Sequence, residues 1–179
     1  MTGASSLASL PRLTLVLGGA RSGKSRHAEA LIGLAPPPWT YLATAEALDA
    51  EMKARIGDHQ ARRGQDWRTL EAPLDLARAI SEAEEGAILI DCLTLWLSNI
   101  LLAERDIEAE SARLVAALER APGPIVAVSN EVGLGIVPDT PLGRRFRDAQ
   151  GLLNQRIAAI ADQVVLMTAG IPLTLKSPA

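Results

Sequence analysis

The stretch that most constrains the fold is Gly18-Gly19-Ala20-Arg21-Ser22-Gly23-Lys24-Ser25, which fits G-x-x-x-x-G-K-[ST] at every fixed position. Leu13–Leu17 before it is an apolar run of strand type, and Arg26–Ile32 after it is a good helix former. Strand, glycine loop and helix together predict a phosphate cradle. The glycines let several N–H groups converge on phosphate oxygens, and the helix directs its positive end at them. In that arrangement Lys24 reaches the outer phosphates and Ser25 ligates Mg²⁺ through its hydroxyl.

A cradle of this kind needs a sheet to stand on. Continuous apolar runs at Leu13–Leu17, Thr40–Thr44, Ala87–Asp91, Pro124–Ser129 and Gln163–Thr168 predict strands buried on both faces, as in a covered parallel sheet. Helical patterns lie between them at Lys24–Leu34, Asp49–Arg63, Leu74–Glu85, Leu93–Arg105, Ile107–Ala121 and Pro141–Ala161. The alternation predicts a doubly wound α/β fold. Ala169-Gly170 predicts a tight turn into an antiparallel edge strand at Ile171–Lys176, and Trp67–Glu71 is a candidate for one further short strand. The reading is a single nucleotide-binding domain over residues 11–179, preceded by a mobile extension at 1–10.

Other residues fall where such a sheet binds ligands. Asp91 ends an apolar strand, where a carboxylate holds Mg²⁺ directly or through water, although strands also end in Asp for turn reasons. Thr44 and Glu46 lie at the end of the second strand and either meet a ligand or cap the next helix. On the helix Asp49–Arg63, Arg55, His59 and Arg62 or Arg63 share one stripe, which is a solvated face or a phosphate-handling group. A neutral imidazole there could attack phosphorus. His27 reads as packing or helix surface. Asn130-Glu131-Val132-Gly133-Leu134-Gly135-Ile136-Val137-Pro138 is a shaped loop after the fourth strand and a candidate acceptor pocket. It is not an N-K-x-D guanine motif, which disfavours a switch GTPase. Arg144, Arg145, Arg147, Asp148 and Arg156 on the last helix read as solvated or as subunit contacts.

Composition narrows the partners. Net charge is −3, from 18 basic and 21 acidic residues, so neither nucleic acid nor an anionic membrane surface is indicated. No apolar run approaches the roughly 20 residues that span a bilayer, and Met1–Leu10 lacks the pattern of a signal peptide. Cys92 is the only cysteine, so there is no intrachain disulfide, which suits a reducing cytoplasm.

These segments together resemble the bifunctional adenosylcobinamide kinase/adenosylcobinamide-phosphate guanylyltransferase family of cobalamin biosynthesis. The resemblance is carried by Leu17–Arg26, Tyr41–Ala45, Asp49–Met52, Arg55-Ile56…His59…Arg62 and Trp67–Glu71. It continues through Asp91–Thr94, Ser129–Pro138, Phe146-Arg147-Asp148…Asn154-Gln155-Arg156 and Ala169–Pro172. It implies a P-loop NTPase (RecA-like) three-layer α/β fold with a mostly parallel sheet, assembled as a cytoplasmic homotrimer. It also implies two reactions. A triphosphate, ATP or GTP, first phosphorylates adenosylcobinamide; GTP then delivers GMP to that phosphate through a guanylylated histidine, which matches His59. Lys24 is the second catalytic residue. Nucleotide contacts carry over to Gly18, Gly19, Ala20, Arg21, Ser22, Gly23, Lys24, Ser25, Thr44, Ala45, Glu46, Gln60, Ala61, Arg62, Arg63, Glu71 and Asp91, with Mg²⁺ on Ser25 and Asp91. Where some relatives have a second histidine, this chain has Asp58. Two other readings compete: a P-loop small-molecule kinase without the guanylyl step, and a RecA-like assembly module with no acceptor pocket.

Overall fold

A computed structural model describes residues 10–45, 64–83 and 86–178. Twelve elements follow one another among them: β1 (Leu13–Gly18), α1 (Lys24–Ile32), β2 (Trp39–Ala43), β3 (Trp67–Glu71), α2 (Leu76–Glu82), β4 (Ala87–Asp91), α3 (Leu93–Leu102), α4 (Ile107–Glu119), β5 (Ile125–Asn130), α5 (Pro141–Ile160), β6 (Gln163–Thr168) and β7 (Ile171–Lys176). The expected strands are all present, including the short Trp67–Glu71. The expected helix Asp49–Arg63 lies outside the described residues, as do residues 1–9 of the N-terminal extension.

The strands form one seven-stranded sheet in the order β3-β2-β4-β5-β1-β6-β7. Every pairing is parallel except β6 with β7, which is the antiparallel edge expected from Ala169-Gly170. β1 sits between β5 and β6, with Leu15 opposite both Ala127 and Val164. Its side chains alternate between two cores, as period-2 geometry requires. Leu13, Leu15 and Leu17 belong to the core that α2, α3, α4 and α5 cover, while Val16 belongs to the one with Ala28 and Ile32 of α1. That is why the run is apolar throughout, and why the domain has three layers.

Helix starts follow local chemistry. Asp106 accepts from the N–H groups of Glu108 and Ala109 to cap α4, and Thr140 caps α5 ahead of Pro141. Some ends differ from expectation. α3 stops at Leu102 rather than Arg105 because Glu104 takes a left-handed conformation. The Glu104 and Arg105 N–H groups then bond back to Leu101 and Ile100, a closing turn usually marked by glycine. α2 begins two residues later than expected, and the Asp75 carboxylate pairs with Arg105 at 3.0 Å instead of capping it.

Candidate active site at the carboxyl edge of the sheet

Strand β1 ends at Gly18 with φ +150°, where a Cβ would stand 2.5 Å from the Met167 carbonyl and 2.7 Å from Ser22 Oγ. Arg21 and Gly23 also have positive φ, so the loop folds back over the start of α1. Its far side is braced by the β6–β7 turn, where the Gly170 N–H donates to the Ser22 carbonyl at 3.1 Å. The first turn of α1 has no side-chain cap and no acidic residue, which leaves its N–H groups for an outside anion. Ser22 Oγ is buried and has no hydrogen-bond partner. A polar atom left unpaired at that spot fits a cradle completed by phosphate.

Lys24 is only 8% exposed. Its ammonium folds over the loop and donates to the Gly19 carbonyl at 2.6 Å. Burial pulls its pKa below the ordinary lysine value, opposed by the nearby Cys92 and Asp91 side chains. A charge held this dry gains more from phosphate than an exposed lysine would. Behind it, burial and then the Asp91 charge push the Cys92 thiol up to about 11. Cys92 is thus a packing residue rather than a nucleophile.

The sheet register sets the rest of this edge. Ala43 pairs with Glu71 on one side and Asp91 on the other, so both carboxylates end their strands at one level. Asp91 is half-buried and Glu71 exposed. Ser25, in the first turn of α1, is half-buried. Among the described residues no group of three His, Cys, Asp or Glu side chains could hold a metal alone. Ser25 and Asp91 supply hard oxygen donors of the kind Mg²⁺ takes when phosphate and water complete its shell.

Thr44 is fully buried. Its hydroxyl donates to the Cys92 carbonyl at 2.7 Å and accepts from the Cys92 N–H at 2.8 Å. Its own carbonyl accepts from Asn99 Nδ2. The side chain therefore holds the turn between β4 and α3, with its hydroxyl spent inside the protein. Ala45 follows, half-buried. The expected His59, Glu46, Gln60, Ala61, Arg62 and Arg63 lie outside the described residues.

Sequence reasoning missed a buried polar brace. The Asn130 N–H donates to Thr94 Oγ1 at 2.7 Å, and the Asn130 carbonyl accepts from Asn154 Nδ2 at 3.0 Å. Ser129 and Gln150 complete the network with Asn154. The next N–H, of Glu131, donates to the Gly18 carbonyl, so the loop after β5 is tied to the first residue of the phosphate loop. The available signal was Gln150 and Asn154, four apart on a helix that also buries Leu153 and Ile157. Arg144, expected to be solvated or at a subunit contact, donates to the Pro138 and Asp139 carbonyls. Arg156 pairs with Glu108 and Arg147 with Asp148.

Solved structures share this architecture at low identity. The assembled ATPase EscN of the enteropathogenic E. coli type III secretion system matches with TM-score 0.54 and 13% identity over 89% of this chain and 43% of that one. The VirB11 ATPase of the Brucella suis type IV secretion system matches with TM-score 0.50 and 14% identity over 93% and 49%. The chain thus spans about half the length of these ATPases or less, and they speak to fold alone. Sequence relatives reach further. The bifunctional adenosylcobalamin biosynthesis protein CobP of Pseudomonas aeruginosa is 50% identical, over 90% of this chain and 96% of that protein. The protein CobU of Salmonella typhimurium, described in the same words, is 46% identical over 92% and 99%. Residues 14–175 match the family described as cobinamide kinase / cobinamide phosphate guanyltransferase. A glycine loop and an uncapped helix start on a mostly parallel sheet, with relatives that align along nearly their whole length, lead to one conclusion: the chain belongs to the cobinamide kinase / cobinamide phosphate guanyltransferase family.

Proposed function

We propose that this chain phosphorylates adenosylcobinamide and then transfers GMP from GTP to the product, giving adenosylcobinamide-GDP. The observation that carries the reading is the uncapped start of α1 beneath a glycine loop, with Ser22 Oγ unpaired and Lys24 buried beside it. In the first reaction the acceptor hydroxyl attacks the γ-phosphorus of ATP or GTP. A P–O bond forms, the β–γ bridge breaks, and the hydroxyl proton leaves. The loop N–H groups and Lys24 take up the charge that develops on the phosphate oxygens. Ser25 and Asp91 would hold Mg²⁺, which supplies further charge neutralisation between phosphates. Ala45 and Glu71 wall the nucleotide along the edge of the sheet, beside the turn that the buried Thr44 holds.

In the second reaction a neutral His59 nitrogen attacks the α-phosphorus of GTP. A P–N bond forms, pyrophosphate leaves, and the imidazole gives up its proton. The phosphate of the acceptor then attacks the same phosphorus, the P–N bond breaks, and the imidazole regains a proton. Glu46 and Gln60 to Arg63 flank this step in the sequence. Residues 11–179 act as one nucleotide-binding domain, and the working form is a cytoplasmic homotrimer.

The test is incubation of purified protein with α-³²P-GTP. The reading expects an acid-labile, base-stable label that chases into product when cobinamide phosphate is added, and loss of label in His59→Ala. Full labelling of that variant would remove His59 from the mechanism. Phosphorylation of cobinamide without any label would leave a kinase alone.

A further inference from the structure

The loop after β5 is held firmly yet displays apolar side chains. Its root is fixed by Thr94 and Asn154 on the Asn130 main chain, and by the Glu131 N–H on Gly18. Glu131 Oε1 accepts from the Gly133 N–H at 2.7 Å, closing the first turn. Arg144 clamps the Pro138 and Asp139 carbonyls at 2.9 and 2.8 Å. A Cβ at position 143 would stand 2.8 Å from Pro138 Cβ, so glycine lets the loop lie against the start of α5. On this braced frame Leu134 is 86% exposed, Ile136 97%, Val137 61% and Leu142 52%.

A connection that only joined strand to helix would carry polar residues here. Four large apolar side chains held out on a fixed frame fit an apolar ligand met without rearrangement. The location says what that ligand must do. The loop begins one hydrogen bond from Gly18, so a molecule lying on it places its reactive arm at the phosphate loop. The family acceptor is a cobinamide, a broad corrin macrocycle that carries methyl groups among its amide arms and one arm ending in an alcohol.

We propose that Leu134, Ile136 and Val137, with Leu142, form the platform on which the methyl-bearing rim of the acceptor's corrin rests, its alcohol arm reaching the phosphate loop. This rests on the function proposed above, and goes beyond it in placing the acceptor. The arrangement separates recognition from chemistry: nucleotide affinity lies in the β1–α1 loop, acceptor affinity in the β5–α5 loop.

The experiment compares the full chain with Leu134→Ser/Ile136→Ser, and with Leu173→Ser on the exposed β7 as a control. Cobinamide binding is measured by equilibrium dialysis, KM for cobinamide and for nucleotide in the kinase assay, and subunit number by light scattering. The platform expects cobinamide Kd and KM to rise about tenfold or more in the double variant. Nucleotide KM and subunit number should stay as in the parent, and Leu173→Ser should change none of these. Parent-like cobinamide affinity in the double variant would overturn the platform while leaving the proposed function standing. A changed subunit number would overturn it in favour of a contact between copies of the chain. A parent chain that neither binds nor phosphorylates cobinamide would overturn both.

Discussion

The loops after β1 and β5 meet at a single hydrogen bond, Glu131 N–H to the Gly18 carbonyl, and are built on opposite principles. The β1–α1 loop is shaped by backbone: positive φ at Gly18, Arg21 and Gly23, an uncapped helix start and an unpaired Ser22 hydroxyl. The β5–α5 loop is shaped by side chains reaching in from elsewhere: Thr94 from α3, Asn154 and Arg144 from α5. A phosphate has many equivalent oxygens and wants N–H groups, which the backbone supplies wherever it can turn tightly enough. A large organic acceptor wants a surface of fixed shape, which needs bracing from outside. The proposed function places both demands at the same edge of the sheet, to be met by different means.

The contrast predicts how each loop breaks. The largest effect is expected from Lys24→Ala, which removes the buried cation: turnover should fall by at least about a hundredfold in both half-reactions, with the circular dichroism spectrum unchanged. Next comes Gly18→Ala. The new methyl meets the Met167 carbonyl in a backbone conformation that side chains rarely adopt. Urea unfolding should show a loss of about 1–3 kcal/mol, and nucleotide affinity should drop. In the β5–α5 loop the break comes through a side chain. Thr94→Val strands the Asn130 N–H, costing about 1–3 kcal/mol in the same assay, whereas Thr94→Ser should restore most of it.

Two smaller effects measure how dry the ground around the phosphate loop is. With its pKa pushed up to about 11, the Cys92 thiol should react with a disulfide reagent at pH 8 far more slowly in native protein than in urea. Equal rates would mean that water reaches the space behind Lys24. The smallest effect concerns His27, in the first helix. Burial lowers its pKa from 6.5, so the folded state resists its protonation. The stability it allows is fully present above the ordinary value and is lost as the pH falls through the lowered one. His27→Gln should slightly flatten the acid side of a stability–pH curve, and an unchanged curve would show the imidazole to be solvated.

Much of this could be read beforehand where the determinants are local. The glycine spacing, the apolar strands and the Ala169-Gly170 turn are each contained in a few neighbouring residues, and the fold followed from them. What was illegible depends on partners far along the chain. Nothing near Thr94 says that it caps the end of β5, and nothing near Thr44 says that its hydroxyl is spent on Cys92. The early end of α3 was hidden because glutamate, not glycine, takes the left-handed turn at Glu104. Arg144 looked like surface charge, since its acceptors are main-chain carbonyls with no sequence signature.

The position of β1 also has a consequence in time. Among the described strands it is the first to leave the ribosome, yet its neighbours are β5 and β6, and the loop that follows it leans on the turn before β7. Such distant pairings form late, after the loop-closure entropy of the whole intervening chain has been met. During synthesis the phosphate loop lacks its full frame until Gly170 has emerged. A nascent or truncated chain therefore lacks some of the contacts that shape this loop, and they are completed only with the turn before β7.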